Sequence, residues 1–307
     1  MNGLAPADAE GNYLRPPSDK QIAKLVDEKT LMNRPQDQLP TLIVGRSCPW
    51  AHRAWLVYEL KGLHQFLNLR KAKPDLKGGR WKLDPPFMKS SSLLTIYKKC
   101  GSPPSHRATV PALIDPGDNN TSATLLGNES AQLVETLNRW PNKNKNIDLA
   151  PSQHLKEIES WQNIFQDSLN NGVYKCGFAR NQNAYDKASN ELFESLNILE
   201  NSLSKKGPWL CGDDLTIADI RIFPTLIRWE SIYEPLFRCG KEPLWTFPHI
   251  WEWRKRLLSF PDVLKTCNSR LWRNDYYGAL FPLQPSNIVP NGPHLEQIVN
   301  ARIPISS

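Results

Sequence analysis

A short run of apolar and β-branched residues that leads into a cysteine-proline pair is the feature that most restricts how this chain can fold. Residues 41–44 form this run, which is typical of a buried strand. Pro49 lacks an N–H and holds a φ suited to the first turn of a helix. Helical apolar periodicity then continues over residues 50–61. The pattern therefore places Cys48 at a turn from a strand into a helix.

The segments that follow continue an α/β layer. Apolar runs predict strands, and helical periodicity predicts helices. Strands are expected at residues 66–70, 109–114 and 124–126, helices at 90–99 and 131–137, a loop from Gly78 through Trp81 to Pro86, and a long polar turn at 115–122. The order strand, helix, strand, helix, strand, strand, helix is that of a thioredoxin-like domain.

The second half of the chain is predicted to be helical almost throughout. Residues 154–169 and 184–203 are long amphipathic stretches. Thr216 is expected as a helix N-cap with Asp219 reaching back to it, which is a capping box with Asp in place of Glu. The predicted fold class is therefore a thioredoxin-like α/β N-terminal domain followed by an all-α C-terminal domain.

Five segments describe the expected organisation. They are an N-terminal extension over residues 1–38 that packs on the first domain, a thioredoxin-like domain over 39–140, a polar linker over 141–152, an all-helical domain over 153–278, and a proline-rich extended tail over 279–307.

Composition excludes several classes of protein. The net charge of +7 raises the question of nucleic acid, but the basic residues are scattered, so we expect no nucleic-acid partner. No apolar stretch is long enough for a membrane span or a secretory signal. The six cysteines show neither a C-x-x-C pair nor the four-ligand spacing of structural zinc. We therefore expect reduced thiols, no metal and a cytoplasmic protein.

The position of Cys48 predicts a reactive thiol. Unpaired N–H groups and the helix dipole stabilise a thiolate at a helix N-terminus, and the thiolate is the nucleophile. A second redox cysteine would stand at position 51, which is alanine. A mixed disulfide at Cys48 must then be resolved by an external thiol, which indicates glutathione. A buried structural cysteine is the alternative for Cys48, and a hydrogen-bonded histidine under the helix is the favoured interpretation of His52.

Three further elements fit a glutathione site. A Pro111 that opens a strand opposite the thiol is typically cis in this fold, which frees the backbone of Val110 to pair with a peptide. Glu129 and Ser130 open a helix whose N–H groups suit the γ-glutamyl carboxylate, with Glu129 suited to the ammonium. Trp81 is expected to wall the thiol pocket, although a structural role is an alternative.

Together these motifs resemble the glutathione transferase superfamily. The resemblance is to its xi class, the glutathionyl-hydroquinone reductases, with similarity to omega-type cysteine transferases. It rests on residues 48–53 (Cys-Pro-Trp-Ala-His-Arg), 109–111, 128–130, 170–175, 177–179, 215–221, 276–278 and 287–293.

The resemblance implies a set of roles. Cys48 is the nucleophile, and Trp81, Val110, Pro111, Glu129 and Ser130 form the glutathione site. Tyr174 and one of Tyr276 or Tyr277 hold the phenol oxygens of a second substrate. The implied activity removes glutathione, a cosubstrate, from an aromatic glutathionyl conjugate, and the implied assembly is a homodimer. Thiol transfer or dehydroascorbate reduction, and a non-enzymatic binding scaffold, are the alternatives.

Overall fold

The computed structural model describes residues 5–16, 24–75, 80–117, 121–142, 147–279 and 283–300, with the backbone only at positions 80 and 299. Two compact units share the chain. The sheet unit is Pro17–Asp148, and the helical unit is Met1–Pro16 together with Leu149–Ser307. Gly78 and Gly79, and the middle of the turn predicted at 115–122, lie outside the described residues.

A six-stranded mixed sheet forms the centre of the sheet unit, in the order β4-β3-β2-β1-β5-β6. β1 pairs parallel with β2 and antiparallel with β5, and the remaining pairs are antiparallel. The strands are β1 Thr41–Gly45, β2 Asn68–Asp75, β3 Arg80–Phe87, β4 Ser90–Ser92, β5 Ala112–Asp115 and β6 Thr124–Gly127. Every residue of β1 is buried, which agrees with the run of apolar residues that predicted it.

In the part of the sheet unit that the structure describes, the α-helices are α1 Glu28–Met32, α2 Pro49–Leu60, α3 Leu93–Lys99 and α4 Ser130–Asn138. Every residue of α2 except Trp50 is buried, so burial is not confined to one face of the helix. A helix buried on most sides is a rigid support, because repositioning it would disturb the packing around it. The turn between β1 and α2 carries Cys48, and we call it the active-site turn. It is held by these two regular elements.

The helical unit contains no strand among its described residues. Its helices are α5 Leu155–Phe165, α6 Gly172–Phe178, α7 Gln182–Lys206, α8 Ile217–Leu226, α9 Glu234–Phe237, α10 Pro248–Leu258, α11 Pro261–Leu264, α12 Ser269–Ala279 and α13 Leu295–Asn300. One-turn π-helices at Gln166–Asn170 and Trp229–Tyr233 precede α6 and α9. The predicted capping box is present, since the Asp219 carboxylate accepts from the Thr216 N–H and the Thr216 hydroxyl accepts from the first turn of α8.

Three details differ from the sequence prediction. The expected loop through Trp81 is strand β3, which is followed by the short edge strand β4. The proline-rich tail includes a short helix, α13. The described part of the extension before Pro16 packs on the helical unit, where the Tyr13 and Phe178 rings lie 5.3 Å apart and Arg180 donates to the oxygen of Ala5. The prediction that this extension packs on the first domain is therefore wrong for residues 5–16.

No helix in the described ranges is long and apolar enough to cross a bilayer.

Candidate active site

Cys48 lies where the sequence placed it, as the N-cap residue of α2 with Pro49 in the first turn. Its backbone is extended, its N–H donates to the oxygen of Gly45 at 3.0 Å, and its own oxygen accepts from His52 N–H at 3.0 Å. The side chain is partly exposed. A partly exposed sulfur at the positive end of a twelve-residue helix has the surroundings of a reactive thiol rather than of a sealed structural one.

The main chain of Val110 lies beside the thiol of Cys48. The sulfur of Cys48 lies 3.9 Å from the oxygen of Val110, and the Val110–Pro111 peptide bond is cis. Pro111 is buried and immediately precedes β5. A peptide backbone is thus presented directly beside the sulfur, as an antiparallel partner for an extended ligand would require.

Tyr97 supports this backbone, a role that no sequence motif indicates. Its hydroxyl donates to the oxygen of Thr109 at 2.7 Å, one residue before Val110. The side chain is almost fully buried in α3, and burial raises the pKa of Tyr97 to about 12. Its hydroxyl therefore remains a neutral donor throughout the physiological range. An apolar helix position gives no sequence signal for this role.

Trp81 and Val110 share the space above Gly45 at the end of β1. A Cβ atom at position 45 would lie 2.7 Å from the Trp81 ring and 2.7 Å from a methyl group of Val110. Glycine is therefore required here by close approach, and the Trp81 ring is packed against the start of the active-site turn. This placement fits both the expected pocket wall and a structural role.

Glu129 and Ser130 lie at the N-terminus of α4, as predicted. Glu129 is the N-cap residue, and its carboxylate accepts from the N–H of Ala131 at 3.5 Å. Ser130 is the first helical residue and is buried, and its hydroxyl accepts from the guanidinium of Arg53 at 3.4 Å. The positive end of the dipole of this nine-residue helix lies here, which suits an anionic group.

Arg53 joins the two helix N-termini. Its guanidinium is buried and lies 4.5 Å from the centre of the Trp50 ring, in addition to its bond with Ser130. These contacts make Arg53 a link between α2 and α4. His52 is buried with its ring centre 5.9 Å from that of Trp55, which agrees with the favoured structural interpretation.

A cluster of aromatic residues occupies the helical unit and includes two of the predicted tyrosines. The hydroxyls of Tyr174 and Tyr276 are 2.9 Å apart, and the hydroxyl of Tyr233 lies 3.4 Å from that of Tyr276. Burial raises the pKa of Tyr276 well above its ordinary value of 10.0. Neutral phenols in contact can donate to and accept from one another or from a phenolic ligand. We call Tyr174, Tyr233, Tyr276, Phe178 and Phe237 the aromatic cluster.

Tyr277 is separate from this set of hydroxyls. It neighbours Arg273, whose positive charge opposes the rise in the pKa of Tyr277 that burial causes. Arg273 in turn donates to the oxygens of Pro290 and Pro293 in the tail. The structure thus brings Tyr174 together with Tyr276, while Tyr277 neighbours Arg273, which binds the tail. Tyr233, forty-three positions before Tyr276, was missed because nothing local to it signals the contact.

Comparison with known proteins identifies the family. Residues 47–140 match the model of the glutathione S-transferase N-terminal domain, and residues 182–256 match that of the C-terminal domain. The glutathionyl-hydroquinone reductase PcpF of Sphingobium chlorophenolicum is 33% identical over 82% of this chain and 82% of its own length.

The chain belongs to the glutathione S-transferase family.

Solved structures of glutathione transferases agree with the fold. Glutathione-bound YqjG of Escherichia coli K-12 is 32% identical, with a TM-score of 0.75 over 83% of this chain and 84% of that chain. The Xi transferase of Phanerochaete chrysosporium is 29% identical, with a TM-score of 0.81 over 94% and 95% of the two chains. Other curated relatives are omega-like glutathione S-transferases of yeasts. The predicted family and fold are confirmed, including the likeness to the xi class.

Proposed function

We propose that this glutathione transferase is a glutathionyl-hydroquinone reductase in which Cys48 is the nucleophile. The observation that carries the proposal is the partly exposed sulfur at the N-cap of α2, beside the Val110 backbone, with alanine at position 51. The names of two similar relatives add to it, since PcpF and YqjG are both called glutathionyl-hydroquinone reductases.

The first step is attack by the Cys48 thiolate on the sulfur of a glutathionyl-hydroquinone. A Cys48–glutathione disulfide forms as the bond from sulfur to the ring carbon breaks. The electron pair goes to the ring, which takes up a proton and leaves as the hydroquinone. The ring carbon is reduced by two electrons, and the Cys48 thiolate sulfur and the thioether sulfur of the conjugate are oxidised to the disulfide. The helix N-terminus favours the thiolate that this attack requires.

The second step returns the enzyme to its thiolate form. A second glutathione, as its thiolate, attacks the glutathione sulfur of the mixed disulfide. Oxidised glutathione leaves, and Cys48 recovers the electron pair. An external thiol is needed because position 51 offers no resolving cysteine. The sum converts one conjugate and one glutathione into one hydroquinone and one oxidised glutathione.

Glutathione binding is assigned to residues of the sheet unit. The Val110 backbone pairs with the cysteinyl part of glutathione, beside cis Pro111. The N–H groups at the start of α4 and the Ser130 hydroxyl bind the γ-glutamyl carboxylate, while Glu129 receives its ammonium. Trp81 packs against the thiol end of the ligand.

The aromatic part of the second substrate is assigned to Tyr174 and Tyr276. Their hydroxyls are already within hydrogen-bond distance of one another, so a phenol oxygen could take the place of either partner. Because burial raises the pKa of Tyr276, it stays protonated and can donate to that oxygen. We further propose that the enzyme acts as a homodimer in the cytoplasm, where glutathione keeps thiols reduced.

The test compares Cys48→Ala with Cys267→Ser, a change at another cysteine residue that is partly exposed. Hydroquinone release from a glutathionyl-hydroquinone is followed by chromatography in the presence of glutathione. Cys48→Ala is expected to fall to the uncatalysed rate, and Cys267→Ser to keep wild-type activity. Full activity in Cys48→Ala would overturn the mechanism. Wild-type turnover of a small disulfide or of dehydroascorbate, but not of the conjugate, would instead favour the omega-like alternative suggested by the yeast relatives.

A further inference from the structure

A histidine, a glutamate and a cysteine converge at the N-terminal end of α5, in the helical unit and apart from the aromatic cluster. One ring nitrogen of His154, one carboxylate oxygen of Glu157 and the sulfur of Cys211 all lie within 4.8 Å of one another. His154 is the N-cap residue of α5 and Glu157 lies in the first turn of that helix, whereas Cys211 belongs to the loop before α8. The sequence spacing gave no metal signal because these ligands come from distant segments.

The two nitrogens of His154 face different carboxylates. Nε2 lies 3.0 Å from Asp214 Oδ2, a hydrogen-bond distance. Nδ1 lies 3.8 Å from Glu157 Oε2, which is too long for a hydrogen bond. Two oxygen or nitrogen ligands of a tetrahedral ion, each about 2.0–2.2 Å from it, lie roughly 3.3–3.6 Å apart. The Nδ1 to Oε2 separation is thus near that of two ligands of one metal.

The groups behind these ligands have the arrangement typical of metal sites. A carboxylate that accepts from the second nitrogen of a histidine fixes the ring and makes the first nitrogen a better ligand. Asp214 is placed to do this for His154. The Thr216 hydroxyl donates to the sulfur of Cys211 at 3.5 Å. Lys206 binds Oε1 of Glu157 at 3.0 Å, so the other carboxylate oxygen, Oε2, is the one near the histidine.

We propose that His154, Glu157 and Cys211 form a zinc site that ties the start of α5 to the loop between α7 and α8. Sulfur, imidazole nitrogen and carboxylate oxygen are the ligand types that zinc takes in proteins, and a water molecule completes a tetrahedral set. Cys211 is buried, and the side chains of His154 and Glu157 are 19% and 30% exposed, so the site has an open side. All three ligands belong to the helical unit, and none of them takes part in the thiol chemistry proposed for Cys48.

The test uses the full-length protein carrying Cys48→Ser, so that the reactive thiol does not bind metal. The protein is stripped with a chelator and titrated with zinc chloride against a chromophoric competitor, and with cobalt chloride by absorption spectroscopy. One equivalent of zinc is expected, with a thiolate-to-cobalt charge-transfer band. His154→Gln and Cys211→Ser are each expected to lose at least about tenfold in affinity, and Asp214→Asn roughly 10–100-fold.

Cys267→Ser, in the same background, is the matched control and is expected to keep both the affinity and the cobalt band. Circular dichroism checks that the variants fold, and His154→Gln gives an independent answer if Cys211→Ser does not. Absence of zinc binding by the parent protein would overturn the proposal. So would zinc or cobalt binding of unchanged affinity in both His154→Gln and Cys211→Ser.

Discussion

The Tyr97 hydroxyl donates a 2.7 Å hydrogen bond to the main-chain oxygen of Thr109, the residue before the one that faces the Cys48 sulfur. This contact holds in place the Val110 backbone that we assign to glutathione binding. Tyr97 belongs to α3, a helix that carries no other part of the site. Geometry at the thiol therefore depends on a residue that never meets the substrate.

Removal of this hydroxyl in Tyr97→Phe should raise the KM for glutathione with a smaller effect on kcat, because the Val110 segment loses its support. The free energy of unfolding should fall by about 0.5–1.5 kcal/mol, as for a lost hydrogen bond. Tyr185→Phe is the matched control, since the Tyr185 hydroxyl donates to the oxygen of Arg238 at 2.7 Å on the surface. Equal KM values in Tyr97→Phe and wild type would contradict the positioning role.

The same tyrosine makes a pH-dependent contribution to stability. Its pKa is raised by burial to about 12, against 10.0 ordinarily, so the unfolded chain loses this proton first as the pH rises. Stability linked to Tyr97 is therefore intact below pH 10 and is lost between pH 10 and 12. The loss is at most about 2–3 kcal/mol at 1.4 kcal/mol per unit. The difference in the free energy of unfolding between wild type and Tyr97→Phe, measured by denaturant titration, should narrow above pH 10. A constant gap would refute the assignment.

Gly45→Ala tests the packing of Trp81 against the active-site turn. The new Cβ would lie 2.7 Å from both Trp81 and Val110, so these side chains must move. We expect a loss of about 1–3 kcal/mol in stability together with weaker glutathione binding by calorimetry. Gly240→Ala is the control, since its Cβ would approach nothing closer than 3.4 Å. Unchanged glutathione affinity in Gly45→Ala would show that Trp81 has only a structural role.

Substitutions at the tyrosines of the aromatic cluster test hydroquinone binding separately from the thiol chemistry. Tyr276→Phe and Tyr233→Phe should lower kcat/KM for a glutathionyl-hydroquinone, the first by roughly tenfold or more, because a buried donor to the phenol oxygen is lost or displaced. Tyr277→Phe should have little effect, since this tyrosine neighbours Arg273 instead. Reduction of a small disulfide should be unchanged in all three. A larger loss in Tyr277→Phe than in Tyr276→Phe would reverse the assignment.

Local signals predicted the thiol site. The strand, the turn and the helix around Cys48 follow one another within twenty residues, so the β-branched run, Pro49 and the helical periodicity were sufficient to place them. The capping box at Thr216 is equally local and was predicted correctly. The positions of Glu129 and Ser130 at the start of α4 were predicted correctly, because a helix N-terminus has a local sequence signal.

Contacts between distant segments could not be predicted from the sequence. The sequence predicts a loop in place of strand β3 because the segment carries Pro85 and Pro86, which fall where the pairing with β4 shifts in register. The meeting of Tyr233 with Tyr276, and of His154 with Cys211, depends on helix packing that no local pattern encodes. The packing of Tyr13 on Phe178 has the same origin.

The most direct test of the central claim is intact-mass and peptide mass spectrometry after exposure of the native protein to oxidised glutathione. Our account predicts one glutathione adduct, at Cys48, that added glutathione removes. Modification of other cysteines with Cys48 left unmodified would contradict it, and so would an adduct at Cys48 that glutathione fails to resolve.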